Sequence, residues 1–335
     1  MGERAFSKLQ YGKETNRGTA VAATKTILGT VPPVKADRKP IYPEVNVGLR
    51  ARAVNSVIYE TLVRDTLKVD YGYFQILPML LTCGLKGGVV AGEVTPAQGD
   101  YLWTCTPSLT SANAPDSITL EMGDDVQAFE AEYIMFERLK FSGAVDQSGG
   151  AAPVAIEADY FGRQLSISTF TGSLALTVPE YMNAKLARFY LDTAWAGVGT
   201  TEKTNILRAF DFEILTGVHP VMAGSGFKYF NTYQEGIIDV MATFTLEGNA
   251  AADAIWDAMN SQALQIVRLA INGAQIGTGT TYNLSLDIGG TWEEVIPLAS
   301  SDRGDNLHTA ILHGKYDATG AKLLQALCTT NAASI

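Results

Sequence analysis

The sequence predicts a mainly β protein: two tandem antiparallel β-sandwich or barrel domains, each with a short α-helix, behind an extended N-terminal arm. Three observations predict it. Most segments after residue 44 alternate apolar and polar residues, as a sheet with one solvated face requires, and Gly-Asp or Gly-Gly turns separate them. Only two stretches, 74–85 and 249–262, carry helix signals. The order of elements in the first half then recurs in the second, and "ITLEMG" at 118–123 is matched in character by "LSLDIG" at 284–289. At 335 residues the chain exceeds one typical core, which fits two domains or one large all-β unit. On this reading the arm spans 1–44, the first domain 45–170 and the second 171–335.

The arm comes first. Pro32, Pro33, Pro40 and Pro43 remove backbone donors and disfavour helix in the residue before each, so 1–44 holds no core of its own. It also contains Tyr11, Val21, Ile27, Leu28, Val31, Ile41 and Tyr42, too many apolar groups for a purely solvated tail. An arm lying on a neighbouring subunit uses them. Strands are expected at 45–62, 66–73, 101–107, 117–123, 126–143 and 153–168, with a short apolar helix over 74–85 whose first turn holds Pro78. The second half follows the same order. Strands at 205–217 and 236–248 precede a helix over 249–262, with Asn249 as its cap and Asp253 in its positive first turn. Strands at 263–271, 282–290, 291–299 and 306–317 complete it. One six-position match arises readily by chance in a chain of this length, so the shared element order carries the case for duplication.

Charged residues make up only 18% of the chain, against roughly 25% in ordinary soluble domains, and 32 residues are glycine. Much of the surface is therefore uncharged, which suits a protein that covers itself with copies of itself; a weakly charged monomer is the plainer alternative. The net charge of −10 argues against a grip on nucleic acid, which needs clustered Lys and Arg. The charge is uneven: the arm carries +4 and the remaining body −14. Cys83, Cys105 and Cys328 are too few and too scattered for a disulfide framework or a C-x-x-C metal site, and buried thiols are expected. "MGERAFSKLQYG" has no apolar core of a secretory leader, and the longest apolar run, 76–81, is too short to span a bilayer. A soluble protein made in the cytoplasm, with no membrane partner, is the expectation.

The sequence holds no catalytic constellation that stands out. His308 and His313 are five apart, which suits neither a helical zinc pair nor one strand face, and His219 is isolated. Neither H-E-x-x-H, G-x-S-x-G nor a phosphate-binding G-x-x-x-x-G-K-[ST] occurs. The glycine-rich pieces at 224–227 and 273–283 read as turns. Glu130 and Glu132 would share one face of a strand, and paired carboxylates serve glycoside hydrolysis, but no aromatic cluster accompanies them. A solvated acidic face is the expectation, with no cofactor and no metal.

Three stretches of the second half, 197–226, 236–259 and 284–318, resemble the major tail tube proteins of long-tailed, non-contractile bacteriophages. The opening "YGKETNRGTAVAATKT" at 11–26 is similar to the leader of that family. The likeness rests on pattern and element order, clearest over 185–320, and the family brings no catalytic residue with it. It implies a β-sandwich or barrel flanked by a short helix, assembled into stacked rings of six such domains. A chain with two domains then closes as a trimer with pseudo-sixfold symmetry, although single-domain subunits are the commoner pattern. The resemblance also implies a place in the virion tail and tape-measure, tail terminator and distal tail proteins as partners. DNA passes through the bore without specific binding. An acidic bore suits that role because it repels phosphates. Candidates for its lining are Glu130, Glu132, Asp211 and Glu213; Arg4, Lys8, Tyr11, Lys13 and Arg17 are candidates for an arm that clamps one ring to the next. The alternative is a non-catalytic carbohydrate- or surface-binding β-sandwich, which needs an exposed aromatic platform. Trp103, Trp195, Trp256 and Trp292 are the places to look, and each sits in an apolar context that predicts core.

Overall fold

Alternation becomes strand nearly wherever it occurs in this chain. The computed structural model describes residues 4–33, 35–145, 150–302 and 304–335, and it is mainly antiparallel β-sheet. The first half contains β1 (Lys8–Lys13), β2 (Lys25–Thr26), β3 (Asp37–Ile41), β4 (Val57–Val69), helix α1 (Leu77–Gly84), β5 (Gly92–Glu93), β6 (Tyr101–Cys105), β7 (Ile118–Gly123), β8 (Ala128–Ala144), β9 (Val154–Gly162) and β10 (Leu165–Ser168). The second contains β11 (Ala187–Asp192), β12 (Leu207–Leu215), β13 (Val218–Val221), β14 (Thr232–Glu235), β15 (Asp239–Glu247), helix α2 (Ala250–Ser261), β16 (Gln265–Gln275), β17 (Thr281–Asp302), β18 (Asp305–Gly314) and β19 (Leu324–Thr330).

The pairings occur twice in the same order. In the first half β1 pairs β7, β3 pairs β4, β4 pairs β9, β7 pairs β8, β8 pairs β9 and β8 pairs β10. In the second, β11 pairs β16, β12 pairs β15, β15 pairs β18, β16 pairs β17, β17 pairs β18 and β17 pairs β19. All are antiparallel. The helices follow suit, α1 packing on β8 and α2 on β17. The duplication therefore holds at the level of topology, but in a different register from the sequence match. Ile118–Gly123 is β7, whose counterpart is β16; Leu284–Gly289 lies in β17, the counterpart of β8. The similarity of "ITLEMG" to "LSLDIG" reflects only that both alternate.

The halves join edge to edge, β8 to β12, so one sheet runs β3-β4-β9-β8-β12-β15-β18-β17. It consists of one four-strand order written twice. β8 and β17 are long because each leaves this sheet at its N-terminal end to join a second set of strands. In β8 the change of direction falls at a bulge beside Tyr133, whose φ is 57°, a conformation that a tyrosine holds only when its surroundings fix it. A continuous core drawn from both halves, from Leu9 to Ile335, lies beneath. A satellite cluster sets Val218 and Phe230 of the second half on Leu62, Tyr133, Met135 and Phe161 of the first.

Both helices form where expected, for different reasons. α1 is apolar all round and buried all round, and its proline sits in the first turn, where no amide is lost. In α2 the Asn249 side chain accepts the Ala252 N–H at 3.2 Å, and Asp253 occupies the first turn. Several strand boundaries differ, and the strand expected at 153–168 is two, β9 and β10. The strand expected at 45–62 begins only at Val57 and continues to Val69, taking in the first half of the next. The two expected at 282–299 are one strand of 22 residues, because Gly289 and Gly290 stay extended and keep their pairing. The arm expected over 1–44 is not a separate element. Its β1 and β3 take the places in the first half that β11 and β12 take in the second.

Candidate assembly face

The eight-stranded sheet exposes a charged face built by cross-strand registry. One row runs Lys68, Glu157, Lys140, Glu213, Met241, His313 and Thr291 across β4, β9, β8, β12, β15, β18 and β17. The next contains Thr66, Asp159, Arg138, Leu215 and Asp239. Signs alternate over the first half and its junction; beyond it the first row runs on uncharged or weakly basic through Met241, His313 and Thr291, and the second ends at Asp239. Lys140 Nζ lies 2.7 Å from Asp211 Oδ2, and Arg138 Nε lies 2.6 Å from Asp159 Oδ2 with Glu213 at 3.8 Å. Burial pushes the Asp159 carboxyl up, but hydrogen bonds from Arg138 and Thr66 outweigh that and hold it below its ordinary value. The bond to Asp159 in turn raises Arg138. Exposed pairs of this kind contribute about 0–1 kcal/mol each, so they set the face's charge more than its stability.

Asp211 and Glu213 thus lie on this face, with cationic partners rather than free. Glu130 and Glu132 do not join them. They sit on the part of β8 before the Tyr133 bulge, where Glu130 is in register with Glu121 and Ser166 in the second set of strands. Burial, reinforced by other carboxylates, raises Glu130; burial also raises Glu132 against the pull of Arg163. The four acidic candidates do not form one surface, because the bend in β8 separates them.

Four of the five basic and aromatic candidates near the N-terminus are fastened to their own chain. Arg4 opens a short 3-10 turn, and its side chain lies outside the described residues. Lys8 lies 5.7 Å from the ring centre of Phe170. Tyr11 is 3% exposed and belongs to the core; burial pushes its phenol far up. Lys13 pairs with Asp116 at 2.9 Å, and Arg17 donates to the Ala114 and Pro115 carbonyls while covering the Tyr233 ring. A clamp on a neighbour is therefore not available from Tyr11, Lys13 or Arg17. Two buried carboxylates explain the attachment. Glu14 accepts from Gly18 N, Ser117 Oγ, Thr119 Oγ1 and Tyr133 N, and Glu121 accepts from Gln10 Nε2, Ala23 N and the Thr171 amide and hydroxyl. The first of these carboxylates, Glu14, also holds the strained Tyr133 amide.

What projects instead is the β3–β4 hairpin. Residues 41–52 are exposed throughout, including Ile41, Tyr42, Val45, Val47 and Leu49, and Arg50 and Arg52 lie at its tip. At the other end of the sheet, Glu293, Glu294 and 296–300 of β17 are exposed, with Ile296 and Leu298 among them. Beside them His313 Nε2 lies 2.9 Å from Asp239 and Nδ1 lies 3.4 Å from Glu293. Sequence reasoning also passed over Arg163. It donates to the Phe230 and Asn231 carbonyls and stacks against Tyr133 and Tyr229, binding the β13–β14 insertion to the first half. A lone Arg after a strand carries no signal that would have revealed it.

Other chemistry is sparse. The three cysteines are free and buried. Among the described residues no three His, Cys, Asp or Glu gather as a metal site, and no helix is long and apolar enough to cross a membrane. Trp103, Trp195 and Trp292 are core residues as expected, whereas Trp256 on α2 is 39% exposed. The chain matches no protein-family model, and no curated protein matches it.

Proposed function

We propose that the chain is a non-catalytic structural protein whose copies close into rings and stack into a tube, as the major tail tube proteins of long-tailed, non-contractile bacteriophages do. The observation that carries this reading is the eight-stranded sheet. Its two four-strand halves repeat one order, and it ends on edges that no other strand covers among the described residues. A sheet with two such edges removes them by closing with its own copies. Each half stands for one tube-type domain, so three chains give six. Three copies bring about 24 strands, which at roughly 4.8 Å per strand encircle a bore about 37 Å across between backbones. The charged face then lines the bore. Its fixed ion pairs and surplus carboxylates leave passing phosphates nothing to grip. Tape-measure, terminator and distal tail proteins are the partners this reading brings.

Negative-stain microscopy of the purified protein tests it. Rings or tubes with a central hole are expected; a monomer that persists at high concentration overturns the reading. Among the four tryptophans only Trp256 is exposed and favours the carbohydrate-binding alternative, and one partly exposed indole on a helix does not make a platform. Glycan binding abolished by Trp256→Ala would reverse that judgement.

A further inference from the structure

A groove of about 1150 Å3 separates the β13–β14 insertion of the second half from the loop that joins β6 to β7 in the first. Leu85, Val218 and Leu323 line it from the buried side. One wall is β14 and the residues after it, 232–238, without a break. His219, Pro220 and Val221 of β13 do not line the groove, so it runs along the β14 edge that faces away from β13. No strand pairs with that edge among the described residues. The Gly236 amide donates to the Gly217 carbonyl at 2.8 Å, which makes Val218 and Glu235 a non-hydrogen-bonded pair. The N–H and C=O groups of Gln234 therefore point at β13, and those of Tyr233 and Glu235 point out along the open edge. The opposite wall, 108–113, is braced from within. Ser108 Oγ accepts the Ser111 N–H at 3.1 Å, and the Asn113 side chain accepts the Ser108 N–H and donates to the Ser108 carbonyl. Glu235 ties the two walls together at one end, accepting the Asn113 N–H at 2.7 Å and the Ala114 N–H at 2.9 Å. Ala114, at a φ of 46°, turns these successive amides to one side.

We propose that this groove takes an extended peptide of a partner protein, which adds to β14 as a strand and sets one carboxylate on Arg17. The backbone of such a peptide meets the outward N–H and C=O groups of Tyr233 and Glu235, and its alternate side chains fall on Leu85, Val218 and Leu323. At about 3.3 Å per residue the 232–238 wall is roughly 23 Å long, the length of about seven extended residues. The charge of the groove selects the acid. Arg17 lines it, donating to the Ala114 and Pro115 carbonyls and lying over the Tyr233 ring, and no carboxylate pairs with it among the described residues. The carboxylate of Glu235 is already met by two amides, so the unbalanced charge of the groove is positive. That sign disfavours a second copy as the occupant. The exposed 41–52 hairpin of another chain would bring Arg50 and Arg52 to Arg17, like charge on like. The site does not depend on ring closure.

Selection from a displayed library of random heptapeptides against the full chain tests the proposal. Enriched peptides are expected to alternate apolar residues and to carry one Asp or Glu at a fixed position. Hydrogen exchange of the full chain with an enriched peptide is expected to slow at the 232–238 amides. N-methylation of the peptide is expected to abolish binding at one set of alternate positions and to be tolerated at the other, as a strand on an edge requires. Arg17→Gln is expected to weaken an enriched peptide about tenfold, and to leave unchanged the same peptide with its acid replaced by the amide. The peptide series reads the strand pairing on the unsubstituted protein, whatever Arg17→Gln does to the fold. No enrichment, protection at other segments, or indifference to N-methylation overturns the site. Enriched acids that bind Arg17→Gln as tightly as the parent overturn the role of Arg17. Protection of 232–238 that grows with protein concentration in the absence of peptide identifies a second copy as the occupant and overturns the assignment to a partner.

Discussion

Glu137 and Glu293 are the same bulge in two places. Glu137 lies between the pairs Phe136–Tyr160 and Arg138–Asp159, and Glu293 between Trp292–Leu312 and Glu294–Ile311. In each case the extra residue carries a carboxylate to the outside while the residue before it, Phe136 or Trp292, is buried. A bulge re-aims a strand and is not a place where chance agreement is common. It aligns the halves more securely than any stretch of similar letters.

Deleting either bulge residue slips one side of the pairing by one position and turns buried side chains outward. Deletion of Glu293 is therefore expected to abolish the cooperative melting transition, a loss of more than about 4 kcal/mol. Glu293→Ala keeps the residue count and is expected to melt within a few degrees of the parent. Calorimetry of the two variants separates register from charge.

Glu14→Gln tests how the N-terminal segment is held. Four donors converge on this buried carboxylate, and an amide offers one acceptor oxygen and sets its NH2 against the remaining donors. A loss of about 2–3 kcal/mol is expected, read as a lower urea midpoint at unchanged slope. Cleavage by protease between 15 and 24 should become faster.

Asp100 ties the β5–β6 turn to the β16–β17 hairpin, accepting from Thr95 N, Thr280 N and Thr280 Oγ1. Burial pushes its carboxyl up, but these hydrogen bonds prevail and bring it from 3.8 down to about 2. Since the folded value is depressed, the stabilisation is complete above about pH 4 and is lost as pH falls toward 2. Asp100→Asn should be less stable at neutral pH and should flatten that part of the acid titration. An unaltered acid limb would show that the tie contributes nothing.

Fold class and the two helices were legible because alternation and capping are local. The duplication was legible in element order, but its register was not. Ile118–Gly123 and Leu284–Gly289 look alike because both alternate, whereas the true counterparts β7 and β16 share no such string. The N-terminal strand was hidden because Leu9 and Tyr11 alternate over too few residues to be read, and their burial depends on β7, more than 100 positions away. Asp211 and Glu213 were found by their alternation. Glu130 and Glu132 were grouped with them because the Tyr133 bend has no sequence mark. The apolar neighbours of Trp256 predict core, yet it is 39% exposed on α2.

The charge of the sheet face gives a functional test. Asp211→Lys with Glu213→Lys adds cations once in each third of the proposed bore. Assembled variant is expected to retain DNA at low salt and release it as salt rises, while the parent retains none. Equal retention by both would place this face elsewhere than the bore.

The most direct measurement is the rotational symmetry of end-on particles, with the number of chains per ring counted by native mass spectrometry. Three chains per ring, showing six near-equal lobes of which alternate ones differ in detail, is the predicted result. Six chains per ring, or no ring at any concentration, would contradict it.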